Sequence, residues 1–119
     1  ASETAILAST GKVEANMESA QEAMIKAGHK PSDKEVEGGA YAMERGMTTA
    51  QIEAMASHAP SGRSLDVAFS VLTKLSDQGV PTTNAVARVQ SKLEANASNA
   101  AITSLVAKAK GGVKIGGGV

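Results

Sequence analysis

The stretch SLDVAFSVLTKLSDQ, residues 64–78, is the most apolar continuous segment of the chain and contains its only Phe. Leu65, Phe69 and Leu72 recur at helical i, i+4, i+7 spacing, so they share one face of a helix. Two valines widen that face beyond the stripe of an ordinary surface helix. A helix with so wide an apolar face belongs inside a bundle. The segment therefore predicts a central helix around which the other helices pack.

Composition limits the core that can surround such a helix. Of 119 residues, 42% are hydrophobic, but 22 residues are Ala and aromatic residues make up only 2%. The core must therefore be built from Ala, Val, Leu, Ile and Met, with helices that approach one another closely. The length fits a single domain.

Charge and cysteine content restrict the classes of function. Twelve Lys and Arg residues balance twelve Asp and Glu residues, without a basic run, so a nucleic-acid partner has little electrostatic support. The chain has no Cys, which removes disulfides and thiolate chemistry. No apolar run approaches the roughly 18 residues of a membrane span. We expect no nucleic-acid partner, no membrane span and no cofactor or metal.

Helical periodicity and turn residues divide the chain into an all-α domain, residues 12–110, with flexible ends. Residues 1–11 are expected to form an arm interrupted at Thr10-Gly11, and the Gly-rich tail 111–119 has no side chains to fix it. The architecture is five or six helices in an irregular bundle, or a two-unit helical repeat. The predicted helices are 12–27, 33–45, 49–58, 64–78, 83–95 and 99–109.

Local signals place the helix ends. Ser32 with Glu35, and Thr48 with Gln51, have the spacing of capping boxes, in which each side chain bonds the backbone of the other. Glycine after a helix supplies the left-handed conformation of a C-terminal cap. The other predicted caps are Ser64, Thr82 and Ser98, and the predicted terminating glycines are Gly28, Gly46 and Gly79.

Two halves of the chain match at an offset of 50 residues. Pro31 then corresponds to Pro81 and Ile52 to Ile102, so the repeats would be 12–58 and 64–109. A helical period of this length suggests a short α-solenoid or a pseudo-symmetric bundle. Chance similarity within an Ala-rich helical chain is the alternative.

Gly38-Gly39 lies inside a predicted helix, where each Gly costs about 1 kcal/mol relative to Ala. The pair indicates a place where another backbone comes close, or a kink. A pocket between helices near Gly38-Gly39 and Met43 is the alternative, and it would suit a small-ligand-binding protein or an enzyme.

Residues of catalytic type give weak signals. His29 and His58 have no second ligand at metal-binding spacing. His58, Ser61, Ser64 and Asp66 include the residue types of a nucleophilic triad, but triads are defined by geometry and no strand–turn–helix elbow surrounds them. We therefore assign no catalytic, cofactor-binding or metal-binding residue.

Carboxylates are candidates for acid–base chemistry, and methionines are candidates for a hydrophobic binding groove. Acid–base chemistry would need burial of a carboxylate, and the sequence shows no apolar pocket around any of them. Methionines can form an adaptable groove, but at helical spacing they more often fill a core. The carboxylates considered are Glu35, Glu37, Glu44, Asp66 and Asp77, and the methionines are Met17, Met24, Met43, Met47 and Met55.

Residues 48–75 resemble a helix-turn-helix in outline, with a short helix, a Gly-containing turn and a longer helix. The second helix is too apolar to be a recognition helix, since its basic residues Arg63 and Lys74 are offset by Asp66 and Asp77. DNA binding is therefore the least favoured alternative.

From about Gly11 to Lys108, the chain resembles the C-terminal part of a group of uncharacterised Ala-rich proteins that are predicted to be exported by Gram-negative bacteria. The resemblance implies an all-helical fold and a periplasmic or secreted location, and no activity. The chain begins with Ala1, which fits an end produced by signal cleavage, and a trimmed cytosolic protein is the alternative. The residues that carry the resemblance are 23–28, 44–47, 59–60, 62–68, 71–75, 79–81 and 87–89.

These observations predict a non-enzymatic extracytoplasmic helical protein that acts as a protein-interaction or structural subunit of a larger assembly. A protein partner or self-assembly is expected, because the chain offers helical grooves and terminal segments but no chemical motif.

Overall fold

The computed structural model describes the backbone of residues 2–107 and the side chains of residues 14–107. These residues form six helices and no strand, which confirms the predicted all-α fold. The predicted tail 111–119 lies outside the described residues. The helices are α1 (Ser2–Lys26), α2 (Asp33–Glu44), α3 (Thr49–His58), α4 (Asp66–Asp77), α5 (Thr82–Glu94) and α6, described over 99–107.

The first five helices form a closed ring of neighbours. α1 packs on α2 and α3, α2 also packs on α4, and α5 completes the ring by packing on both α4 and α3. Buried side chains from all of these helices, together with Ile102 of α6, form one cluster. The core is therefore shared by the ring, as expected when small apolar residues must be pooled to bury enough area.

The apolar residues predicted to lie on one face of α4 are buried in the core. Leu65, Phe69 and Leu72 are completely buried. The helix is nevertheless not surrounded on all sides, because Ser70 and Lys74 on its opposite face are exposed. Polar residues at i, i+4 spacing cannot be buried without partners, so this stripe keeps one side of α4 in solvent.

Helix α1 differs from its predicted bounds. The backbone is helical from Ser2 to Lys26, so the helix passes through the predicted interruption at Thr10-Gly11. One Gly inside a helix costs only about 1 kcal/mol relative to Ala, which does not end a helix flanked by helix formers. Flexibility of residues 1–11 stays a prediction. Ile25, which the sequence places beside the buried face, is 56% exposed.

Three of the predicted N-terminal caps are present. Ser32 and Thr48 form complete capping boxes with Glu35 and Gln51. Ser98 accepts a hydrogen bond from the backbone N–H of Ala101 at 3.2 Å. These starts depend on residues three positions apart, which is why the sequence predicts them.

The cap predicted at Thr82 is wrong, and the N-cap position predicted at Ser64 is displaced by one residue, although the Ser64 hydroxyl does accept the backbone N–H of Asp66 at 3.4 Å. The N-cap of α4 is Leu65, and Asp66 accepts the N–H of Val67 at 2.8 Å with its own side chain. Helix α5 begins at Thr82 itself, and the Thr82 hydroxyl donates to the carbonyl oxygen of Arg45 at 2.6 Å. Thr82 is the first residue inside α5, whose N-cap is Pro81, so its hydroxyl is not at the position from which a side chain caps the first turn.

The turns that follow α2 and α5 have the same geometry 50 residues apart. Gly46 has φ 101° and Asn96 has φ 55°, and the next residue in each turn donates its N–H to a carbonyl five positions back. Asn is the residue other than Gly that most readily adopts this left-handed conformation. The same bond also follows α1 and α4, where His29 and Val80 donate to carbonyls five positions back, so this geometry does not test the repeat and a duplication stays a prediction.

Gly38 and Gly39 are sites of close helix approach. A Cβ atom on Gly39 would lie 2.9 Å from the Cβ of Ala20 in α1, and one on Gly38 would lie 3.0 Å from the Cβ of Phe69 in α4. Helix α2 therefore fits between α1 and α4 because it has no side chain at these two positions. The space in front of Gly39 is filled by Ala20, Met24 and Phe69.

Candidate functional site

A polar cleft lies where the loop between α1 and α2 meets the loop between α3 and α4. Its volume is about 510 Å³, and its wall includes Glu35 at the start of α2. The cleft gathers hydroxyl, imidazole and guanidinium groups from both loops. The polar residues lining it are His29, Lys30, Glu35, Ser57, Ser61, Arg63 and Ser64.

Glu35 joins the two loops through hydrogen bonds. Its Oε1 accepts the backbone N–H of Ser32 at 2.9 Å, and its Oε2 accepts the backbone N–H of Leu65 at 2.9 Å. His29 donates from Nε2 to the same Oε2. Glu35 is 4% exposed, the only buried charged residue in the described part of the chain. The sequence predicts the bond to Ser32 but not the burial, which depends on a residue 30 positions away.

These contacts determine the charge of Glu35. Burial by itself raises the pKa of a carboxyl group, but the amide hydrogen bonds from Ser32 and Leu65 and the contact with His29 outweigh it, so the pKa of Glu35 is lowered. A carboxylate that is ionised and accepts three hydrogen bonds is poorly suited to take up a proton at neutral pH. Glu35 therefore holds the loops together and gives the cleft no acid–base group.

The residues of the candidate triad do not form a relay. His58 Nδ1 donates to the carbonyl oxygen of Ala54 at 2.7 Å, and its Nε2 lies 3.7 Å from Oε1 of Glu94. Ser64 donates to Asp66 Oδ1 at 2.7 Å. The imidazole and the hydroxyl thus have separate partners, and each contact has a local structural explanation.

The described side chains do not provide the ligand set of a metal site. Among residues 14–107, no three His, Cys, Asp or Glu side chains come together in a group that could hold an ion. His29 and His58 lie at different places, one beside Glu35 and the other beside Glu94.

A second concave surface, the α2–α4 groove, runs between those two helices on the outside of the ring. Its volume is about 420 Å³, and it is lined by Lys34, Glu37, Gly38, Tyr41, Asp66, Ser70, Thr73 and Lys74. The α2 residues follow i, i+3, i+4, i+7 spacing, and those of α4 follow i, i+4, i+7, i+8, so each set forms one helical stripe.

Three contacts show that α2 and α4 run parallel. The Glu35 carboxylate meets the Leu65 N–H, Gly38 faces Phe69, and Arg45 bonds Asp77 through Nε at 2.8 Å. The sequence offset across the pair is therefore 30 to 32 residues along its whole length. Residues at the same level of the groove can be identified from this offset.

The α2–α4 groove contains an exposed aromatic side chain and four charged side chains. Tyr41 is 42% exposed, one of two large hydrophobic side chains exposed among residues 14–107. Lys34, Glu37, Asp66 and Lys74 line the same groove, and within the described residues none of the four forms an ion pair. An aromatic side chain among unpaired charges is typical of an interaction surface.

The methionines do not form a groove. Met24, Met47 and Met55 are buried in the core cluster, while Met17 and Met43 pack against it. Filling of the core is therefore their structural role, since an unbranched side chain adapts to irregular gaps.

Helices α3 and α4 do not pack as a helix-turn-helix pair. Helix α3 packs against α1 and α5 instead, and the apolar side of α4 is buried in the ring. Among the helices of residues 2–107, none combines the length and apolarity that a membrane crossing requires.

No family model, curated protein or solved structure matches this chain. Its functional interpretation therefore depends on the groove and the cleft themselves.

Proposed function

We propose that the chain is a non-enzymatic extracytoplasmic protein that acts as a protein-interaction or structural subunit, with the α2–α4 groove as its interaction surface. The exposure of Tyr41 within this groove carries the proposal. Tyr is enriched at interfaces because its ring supplies apolar contact area while its hydroxyl remains hydrated.

The shape of the groove supports a protein partner over a small molecule. It is an open trough between two helices, and small-molecule sites usually enclose most of the ligand surface. Helical grooves commonly accept another helix, whose residues at i, i+3, i+4 and i+7 fill the trough. The extracytoplasmic location rests on the resemblance to exported Ala-rich proteins.

Photocrosslinking tests the proposal in cells that express the chain. A photoreactive phenylalanine analogue replaces Tyr41, and a control chain carries it at Arg88, an exposed residue of α5 outside the groove. We expect protein adducts from position 41 and few from position 88. Equal adduct formation at the two positions, or none at either, would contradict an interaction surface in the groove.

A further inference from the structure

The polar cleft between the α1–α2 loop and the α3–α4 loop is lined by two cationic residues, one from each loop. Among residues 14–107, neither Lys30 nor Arg63 forms an ion pair with a carboxylate. Arg63 donates from Nη2 to the side-chain oxygen of Asn99 at 2.9 Å, a neutral partner that leaves the charge of the guanidinium uncompensated. Two cations without counter-ions in one cleft favour an anionic ligand.

The carboxylate that also lines the cleft does not neutralise these cations. Glu35 is buried, and its two oxygens accept the N–H groups of Ser32 and Leu65 and a hydrogen bond from His29. A buried carboxylate with three donors has little capacity left for a lysine or a guanidinium. The two cations outnumber this one carboxylate, so the cleft is positively charged although the chain as a whole has a net charge of zero.

Glu35 also holds together the two loops that carry the cations. Lys30 follows His29, and Arg63 lies two residues before Leu65, so each cation is close in sequence to a residue that Glu35 binds. Walls that are held in place before a ligand arrives lose less conformational entropy when it binds. The cleft is therefore preformed, as small-ligand sites usually are.

Uncharged donors lie next to Arg63 in the α3–α4 loop. A turn in this loop is closed by the Arg63 N–H, which donates to the carbonyl oxygen of Pro60 at 3.0 Å. Within the part of the chain whose side chains are described, the backbone N–H groups of Ser61 and Gly62 and the hydroxyls of Ser57 and Ser61 have no hydrogen-bond partner. Amide and hydroxyl donors can complete the coordination of an oxyanion whose charge is bound by Arg or Lys.

Another part of the cleft wall is apolar. Ala27 lies just after α1, Ala56 lies in α3, and Ala59 and Pro60 follow α3. The cleft volume of about 510 Å³ is within the range of small-molecule sites, about 300–1,000 Å³. A ligand with an anionic group and a short hydrocarbon body would therefore contact both kinds of wall.

We propose that the cleft binds a small organic carboxylate, with its charged group at Lys30 and Arg63 and its hydrocarbon body against the alanine and proline wall. A guanidinium presents parallel N–H donors that match the two oxygens of a carboxylate. The site is separate from the proposed interaction surface, because the cleft and the α2–α4 groove share no lining residue.

An NMR titration of the backbone amides tests the site, with hexanoate as the probe. We expect saturable shifts that are largest at residues 28–30 and 61–64. Acetate lacks the hydrocarbon body and should bind about tenfold more weakly. Hexanol lacks the anion and should give no saturable shift. Hexanol binding equal to that of hexanoate would overturn the anion site, and phosphate binding as tight as that of hexanoate would overturn the preference for an organic carboxylate.

Substitutions of the two cations locate the binding. Lys30→Gln and Arg63→Gln should each weaken hexanoate binding about tenfold, because each removes a charge-assisted hydrogen bond. Arg63→Lys keeps the charge without the planar fork and should weaken binding less than Arg63→Gln does. Arg88→Gln removes the same charge from an exposed position of α5 outside the cleft and should leave the affinity unchanged. The amide spectrum of each variant shows whether its fold is kept.

Two results would overturn the carboxylate site. One is the absence of saturable hexanoate binding to the wild-type chain at millimolar concentrations. The other is an equal affinity of the Lys30→Gln, Arg63→Gln and Arg88→Gln variants for hexanoate. Crosslinking from position 41 tests the α2–α4 groove independently, so a failure of the cleft site leaves the proposed interaction role in place.

Discussion

Glu35 is the residue through which the two loops at one end of the ring are joined. Its carboxylate accepts the N–H of Leu65, a buried group at the N-cap of α4 that has no helical carbonyl to bond. A buried donor left without an acceptor costs about 1–3 kcal/mol. The position of α4 relative to α2 therefore depends on one side chain.

Replacement of Glu35 by Gln should lower the free energy of unfolding by about 1–3 kcal/mol, because Ser32 and Leu65 donate to different oxygens and the amide nitrogen that replaces one of them cannot accept an N–H. Urea denaturation measures the change. Glu37→Gln is the matched control on the exposed side of the same helix turn, and it should change stability by less than about 0.5 kcal/mol. Equal effects of the two substitutions would show that the loop contact does not stabilise the fold.

Gly39 stabilises the fold because it has no side chain, which lets α2 pack closely against α1. Gly39→Ala should destabilise the protein by about 1–3 kcal/mol, despite the better helix propensity of Ala, because the new Cβ would lie 2.9 Å from that of Ala20. Thermal or urea unfolding measures it.

Ala20→Gly supplies the control for that contact. Alone it should cost about 1 kcal/mol, the usual difference between Gly and Ala in a helix. Combined with Gly39→Ala it removes the clash, so the double variant should lose less stability than the two single changes added together. Strict additivity would mean that the two helices can move apart at no cost.

At the scale of the helix, some helix starts depend on neighbouring residues, and others involve contacts with distant parts of the chain. Capping boxes at Ser32 and Thr48 are local, and the sequence predicts both. Thr82 is of the same residue type, but its hydroxyl donates to the carbonyl oxygen of Arg45 at the end of α2, 37 residues away. Thr82 lies one residue past the N-cap of α5, so its residue type alone did not make it a cap.

Thr48→Ala should lower stability by about 1 kcal/mol, because the N–H of Gln51 loses its side-chain acceptor at 3.1 Å. Thr49→Ala, one residue later and exposed, is the matched control. It should be neutral or slightly stabilising, since Ala is the better helix former. Urea unfolding of both variants tests the difference, and a Thr49→Ala loss as large as that of Thr48→Ala would contradict the cap.

At the scale of the whole molecule, we expect acid to lower the free energy of unfolding because Glu35 becomes protonated. The folded pKa of Glu35 is lowered, whereas the unfolded chain has the usual value of about 4.3. Its contribution is therefore fully present above about pH 4.3 and is lost as the pH falls through the folded pKa.

The stability difference between wild type and Glu35→Gln should accordingly shrink as the pH falls from 7 toward 3. Urea unfolding at a series of pH values measures that difference, with Glu37→Gln as the reference. A difference that stays constant with pH would show that the ionised form of Glu35 is not the one that stabilises the fold.

Only part of the α2–α4 groove could be predicted from the sequence. Gly38-Gly39 indicates a close approach, and the structure confirms it with Phe69 and Ala20 as the partners. Lys34 and Tyr41 were not identified, although they lie at helical spacing around Gly38 and form a stripe with it. Periodicity defines such a stripe, but the sequence does not say which other helix lies beside it.

The all-α fold, most helix boundaries and most of the residues that enter the core follow from the sequence. These features depend on hydrogen bonds and periodicity within a few neighbouring residues. The order of helices around the ring, the burial of Glu35 beside Leu65, and the groove that Lys34 and Asp66 both line depend on the tertiary structure. Those features join residues 30 or more positions apart, and their geometry depends on how the loops direct each helix against its neighbours.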